Sequence, residues 1–197
     1  MKILTVSDKE SQYIWDYFDA ERFKDVELVI SCGDLKPEYL SYLVTMIKAP
    51  LFYIHGNHDT EYLTNPPEGC TCIDGKLVNY KGIRLLGLGG TYRYNGGQFQ
   101  YTENQMRKRI KKLYPSLVMK KGFDILVTHA SASGIEEDTD LCHKSFKCFT
   151  ELLDRFSPGL HLHGHQHLSY KNRDRIMSYK DTAIINAYEY HILDYNK

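Results

Sequence analysis

An α/β fold of two sheets facing each other, with helices outside, is what this sequence predicts. Three observations carry that expectation. Its first third alternates short apolar, β-branched runs with helical stretches of about ten residues, the texture of right-handed βαβ units and a largely parallel sheet. After Pro66-Pro67 the texture changes to that of a hairpin, with Lys76–Tyr80 and Ile83–Gly87 flanking Lys81-Gly82. The 197 residues show no repeat, low-complexity tract or Pro/Gly/Ser linker, so residues 1–197 are expected to form a single domain with a sizeable core.

The elements follow in order. Lys2–Ser7 reads as a strand and the stretch near Tyr13–Phe18 as helical. Val26–Ser31 is a second strand, Glu38–Lys48 a helix opening after Pro37, and Leu51–His55 a third strand. A further helix starts at Thr102, where Thr-Glu-Asn-Gln is a capping box in which Thr102 and Gln105 satisfy orphan N–H groups. Phe123–Thr128 is a buried-strand run, Phe146–Phe156 a helix and Leu160–His163 a strand. The tail, Thr182–Asp194, is apolar enough for one or two closing strands.

Composition removes several classes. Lys and Arg total 25 and so do Asp and Glu. This balance argues against a general polyanion binder, so nucleic acid is not a favoured partner. No run approaches the 18 or so apolar residues of a membrane span. The N-terminus turns polar by Ser7-Asp8, too early for a secretory signal. Five cysteines (Cys32, Cys70, Cys72, Cys142, Cys148), with no C-x-x-C pair, read as reduced thiols of a cytoplasmic protein.

The residues that carry chemistry lie just after the predicted strands, where open α/β sheets place their ligand sites. Strand ends deliver Asp8-Lys9-Glu10, Gly33-Asp34, Gly56-Asn57-His58-Asp59, His129 and Gly164-His165-Gln166-His167. Carboxylates, imidazoles and a carboxamide are the ligands of hard-to-borderline metals. Glycines at 33, 56 and 164 precede the polar residues, consistent with sharp turns that aim the next side chain inward. Singly, each has a plainer reading. Asp after a strand often caps a helix, Gly-Asp is a turn, and a lone His129 is a core histidine. Five metal-compatible strand ends in one chain outweigh those readings.

With these residues the sequence resembles the calcineurin-like metallophosphoesterases. That family's pattern is Asp-x-His, Gly-Asp, Gly-Asn-His-Asp/Glu, a lone His after a strand, and Gly-His-x-His. The match runs from the first strand to about residue 167. The resemblance implies a four-layer α/β/β/α sandwich of two mixed sheets flanked by helices, carrying a two-metal centre. Asp34 would bridge both ions, Asp8 and His167 would bind the first, and Asn57, His129 and His165 the second. His58 would be catalytic rather than a ligand. The implied activity is hydrolysis of a phosphodiester or small organic phosphate by a bridging hydroxide, with His58 protonating the leaving oxygen.

Glu10 departs from the pattern, which has His there. Either Glu10 ligates the first metal or it stands outside a weakened first site. Ligation is the favoured reading, and three carboxylates would suit Mn or Fe better than Zn, which remains possible. The glycine-rich segment Leu88–Gly97 lacks the Gly-Lys-Ser/Thr of a P-loop. It reads either as an active-site rim in which Arg93 grips phosphate and a tyrosine stacks on the leaving group, or as a flexible surface loop. Arg107–Lys121 holds seven basic residues and no acidic ones, usually a solvated helix face. The run from Glu136 to Asp140 is acidic and reads as a mobile loop, and His143 beyond it is within reach of the site. His55, His161 and His163 read as structural. The competing function is a catalytically weak or inactive scaffold of the same fold, which retention of His58 argues against and Glu10 argues for. A phosphate ester is therefore the expected partner. The oligomeric state is open.

Overall fold

The computed structural model of the chain describes residues 1–135, 142–168 and 174–197. In chain order these form β1 (Lys2–Ser7), α1 (Gln12–Asp16), α2 (Ala20–Phe23), β2 (Leu28–Ser31), α3 (Pro37–Met46) and β3 (Leu51–Tyr53). After a 3₁₀ turn at Asp59–Leu63 come β4 (Thr71–Cys72), β5 (Lys76–Tyr80), β6 (Ile83–Leu88), β7 (Thr91–Tyr92) and β8 (Gln100–Tyr101). The remainder is α4 (Glu103–Met119), β9 (Ile125–Thr128), α5 (Lys147–Phe156), β10 (Leu160–His163), β11 (Ile176–Tyr179), β12 (Thr182–Asn186) and β13 (Glu189–Asp194).

Two mixed sheets result. One has the order β13-β1-β2-β3-β4, the other β11-β12-β10-β9-β6-β5. The inner strands of both are parallel; the first sheet gains one antiparallel margin strand, β13, and the second gains two, β11 and β5. Period-two alternation explains the layering. Ile3 of β1 and Ile30 of β2 join Leu85, Val127 and Leu162 of the second sheet in a core between the sheets. The alternate residues Leu4, Val6 and Val29 pack outward on Ile14, Phe23, Tyr39 and Leu43 of α1–α3. On the far side Leu86, Leu126 and Ile184 pack on Ile110 of α4 and Phe149 and Leu152 of α5. Strands buried on both faces read as continuous apolar runs, which is why the alternation was hidden in the sequence. Each fully buried Leu, Ile or Phe contributes about 1.5–3 kcal/mol, so the three apolar layers hold the sandwich together.

Helix ends follow local chemistry. Pro37 opens α3 at a position whose N–H has no helical partner. Thr102 caps α4, accepting from the Gln105 N–H while the Gln105 side chain accepts from Thr102 N–H. The long basic helix α4 keeps its charge outside, yet Arg107 pairs with Glu103 and Glu151, and Arg109 turns inward to Asp74. Arg109 therefore belongs to the fold's interior framework, and it also donates to Gly89 O (2.7 Å) at the buried start of the Gly-rich segment. The acidic run from Glu136 to Asp140 lies outside the described residues.

Candidate metal centre

Parallel strands from both sheets end on the same edge of the sandwich, and that edge carries the chemistry. Three site residues sit in the left-handed backbone region within three residues of the ends of their strands: Asp8 (φ 65°), Asp34 (φ 58°) and His165 (φ 65°). For residues with a Cβ this conformation costs of order 1 kcal/mol or more and persists where the surroundings enforce it. Here the loops bind one another. Asp8 N–H donates to Gly33 O (3.1 Å), and Gly164 N–H to His129 O (3.0 Å). His165 N–H donates to Asp8 Oδ2 (2.8 Å), and Ser7 Oγ donates to Gly33 O (3.0 Å).

The three glycines serve the packing of these loops. Gly33 has φ +94°, and a Cβ there would lie 2.3 Å from Gly56 N. Gly56 and Gly164 have ordinary backbone angles; a side chain at either would overlap Asp34 Oδ1 or Ser7 Oγ at 2.0 Å. Close approach, more than turn geometry, is what excludes other residues at 56 and 164. Asp59 completes the frame, its Oδ2 accepting the N–H groups of Asp34 (2.9 Å) and Gly56 (2.7 Å). It shapes the turns rather than orienting the His58 ring.

One ligand atom each from Asp8, Asp34, His129 and His165 falls within 4.8 Å of all the others. His129 is fully buried and its Nδ1–H donates to Cys32 O at 2.7 Å, which leaves Nε2 facing the cluster. Nε2 is 3.2 Å from Asp34 Oδ2 and 3.2 Å from Asn57 Oδ1. Two ligand atoms each about 2.1 Å from a common cation would stand about 3.0–3.4 Å apart, so these spacings are those of a coordination polyhedron's edges. His165 Nε2 donates to Cys142 O (2.6 Å), leaving Nδ1 as its lone-pair nitrogen. Asp8 Oδ1 is buried with no hydrogen-bond partner. An orphaned carboxylate oxygen among ligand groups is what a divalent cation would satisfy, and the donor set fits one.

The remaining candidates surround this cluster. His167 Nε2 lies 3.8 Å from Asp8 Oδ1, its ring against Tyr188 at 4.9 Å. Glu10 and the exposed His58 line an open cavity of about 420 Å³ whose floor is Asp8 and Asp34. The His58 N–H donates to Asp34 Oδ1 (2.8 Å). Arg93 is exposed and its side chain has no hydrogen bond or ion pair among the described residues. Its neighbour Tyr94 touches the centre instead, accepting from Asn57 Nδ2 at 3.2 Å. His143 approaches as expected, its ring 5.0 Å from that of His165. His161, buried beside Thr128 Oγ1 at 2.8 Å, is structural and is held neutral by burial.

The electrostatics are those of a concentrated charge cluster. Burial opposes charge on His129, but the Asp34 and Asp8 carboxylates outweigh it and raise the imidazole to about 10. Asp34, despite its own burial, is held down to about 2 by His129. Burial and the charge on His129 depress His165 to about 3. Burial raises Asp8, and burial with the nearby Asp34 charge raises Asp59 to about 6. Without a cation, the protonated His129 is what balances the carboxylates.

Strand-end carboxylates and imidazoles thus converge at one edge of two facing sheets, a donor set that fits a divalent cation. A family model described as calcineurin-like phosphoesterase matches residues 1–169, and the chain belongs to that family. Solved structures are similar over nearly the whole chain. One crystal structure is 13% identical with a TM-score of 0.68, covering 98% of this chain and 94% of the other. The protein TT1561 of Thermus thermophilus is 13% identical with a TM-score of 0.62, over 95% and 89% of the two chains. The 5'-nucleotidase from Candida albicans is 13% identical with a TM-score of 0.56, over 94% of this chain and 44% of that one. At that identity the likeness concerns the fold. Comparison with curated proteins yields no match. No helix among the described residues is long and apolar enough to cross a membrane.

Proposed function

We propose that the chain is a metal-dependent hydrolase of a phosphodiester or small organic phosphate, working with two divalent cations. The observation that carries the reading is the approach of both Asp34 Oδ2 and Asn57 Oδ1 to within 3.2 Å of His129 Nε2, with Asp8 and His165 alongside. Asp34, between the Asp8 and His129 sides, would be shared by both cations. Asp8 and His167 would hold one, with Glu10 on its cavity side; Asn57, His129 and His165 would hold the other. Cations bound there would supply Lewis acidity toward the phosphoryl oxygens and a water nucleophile at neutral pH.

The chain's own residues do the rest. His58, exposed at the cavity lip, donates the proton that the leaving oxygen needs. The αL turns and Asp59 keep the ligands preorganised, so little reorganisation accompanies reaction. An added carboxylate at Glu10 supports Mn or Fe over Zn at the first position. A cavity of about 420 Å³, open to solvent, suits a small ester or an exposed phosphodiester.

The test is hydrolysis of aryl phosphodiesters and phosphomonoesters by purified protein across Mn, Fe, Zn and Mg. Activity that needs added metal and falls with His58→Gln, metal content unchanged, supports the reading. Metal loss in His58→Gln would make His58 a ligand and refute the assigned proton-donor role.

A further inference from the structure

An asparagine can serve a cation through its carboxamide oxygen only, because the amide nitrogen's lone pair is delocalised. Turning the group over exchanges two ends of nearly equal size and opposite use. Asn57 is 6% exposed, so whichever amide hydrogens face away from the cluster need a buried acceptor. The Tyr94 hydroxyl is placed to meet that need: Asn57 Nδ2 donates to it at 3.2 Å while Oδ1 faces His129 Nε2 at 3.2 Å.

The loop that carries Tyr94 is itself held. The buried carboxamide of Gln100 accepts from the consecutive N–H groups of Tyr94 (3.3 Å), Asn95 (3.2 Å) and Gly96 (3.2 Å). Gly90, at the loop's start, has φ +88° and donates to His55 O at 2.7 Å; a Cβ there would lie 2.2 Å from Phe99 O. Phe99 in turn stacks on His55 at 4.2 Å, two residues before Asn57.

The His55 ring is fixed by Asp74, which also takes Arg109 and the Gly89 N–H. Both ends of the Asn57–Tyr94 contact therefore hang on one braced body. The segment is braced at its start and by Gln100, and the residue it presents to the centre is Tyr94 rather than Arg93.

We propose that Tyr94 is a positioning residue that holds the Asn57 carboxamide with its oxygen toward the cation. The proposal rests on Asn57 being a metal ligand. A partner of a metal ligand of this kind typically controls affinity about 10–100-fold. Tyr94→Phe keeps the ring and removes only the hydroxyl, and with it the acceptor for Asn57 Nδ2.

The experiment is a titration of metal-free protein with Mn²⁺ by calorimetry and with Co²⁺ by visible absorption. It compares wild type, Tyr94→Phe, Asn57→Asp and the double variant, with thermal unfolding as the folding control. Tyr94→Phe should weaken one of the two sites about 10–100-fold, leave the other within about twofold, and change the Co²⁺ spectrum of the weakened site only. A carboxylate has two equivalent oxygens and no end to hold, so in Asn57→Asp the same substitution should cost about twofold or less. Wild-type affinity and spectrum in Tyr94→Phe would overturn the proposal. Equal losses in both backgrounds would also overturn it, because they would report loop packing. A wild type that binds neither metal would instead refute the metal-centre reading, and this inference with it.

Discussion

The carboxylate of Asp59 accepts the backbone N–H of Asp34 at 2.9 Å, and the same oxygen accepts from Gly56 N–H at 2.7 Å. One buried side chain thus ties the loop after β2 to the loop after β3, and with it Asp34 to Asn57. Asp59→Ala leaves two buried donors unpaired, at about 1–3 kcal/mol each. It should lower stability by about 2–4 kcal/mol and weaken metal binding. Asp59→Asn retains an acceptor oxygen and should cost much less. Denaturant unfolding of the metal-free proteins separates the two; equal losses would contradict the loop-tying role.

Asp74 makes a second prediction, through pH. Burial alone would raise its carboxyl, but hydrogen bonding to His55 and the Arg109 charge hold it below the ordinary value of 3.8. A carboxyl lowered in the folded state contributes stability above its unfolded value, near 3.9. That contribution is lost as pH falls through the folded value. Asp74→Asn should cost about 3 kcal/mol at neutral pH, the scale for breaking a buried pair. The gap from wild type should hold steady above about pH 5 and shrink below about pH 4. A pH-independent gap would mean the charge of Asp74 contributes nothing.

Metal uptake should release a proton. His129 is raised to about 10 in the cation-free site, so it is protonated at neutral pH, whereas His165 at about 3 is already neutral. Ligation requires the free base. Binding should therefore release the His129 proton at pH 7, and affinity should climb as pH rises toward 10. Calorimetry in buffers of differing ionisation enthalpy counts the protons. Finding none released would contradict the charged His129–Asp34 pair.

Glu10 tests the departure from the family pattern. If its carboxylate adds negative charge at the first metal, Glu10→His should shift the pH–rate profile toward lower pH. It should also improve zinc-supported activity. Profiles with each metal at matched ionic strength decide it; unchanged profiles would leave Glu10 as a wall of the cavity without a ligand's role.

How much of this was legible in the sequence depends on the range of the interaction. β1 and β10 have the bounds their apolar runs imply, Lys2–Ser7 and Leu160–His163, and the Thr102 capping box opens α4. These features are written within a few consecutive residues. The strand Ile176–Tyr179 was not, because half of it is exposed and its partner β12 supplies the pairing. Strand-end ligands were visible as residue types after β runs. The framework behind them was not: Asp74 meets Arg109 across 35 residues and His55 across 19, and no local pattern announces either. For the same reason the charge of Arg93 and the stacking surfaces of the tyrosines beside it were legible, while the contact of Tyr94 with Asn57 across 37 residues was not.

The central claim is that five strand ends build one metal centre sharing Asp34. Metal stoichiometry tests it most directly, measured by elemental analysis after Mn²⁺ loading and dialysis of wild type, His129→Ala and Asp34→Ala, each checked for folding. The account predicts two ions per chain in the wild type, one after loss of His129, and neither after loss of the shared Asp34. A folded Asp34→Ala that still retains both ions would contradict it.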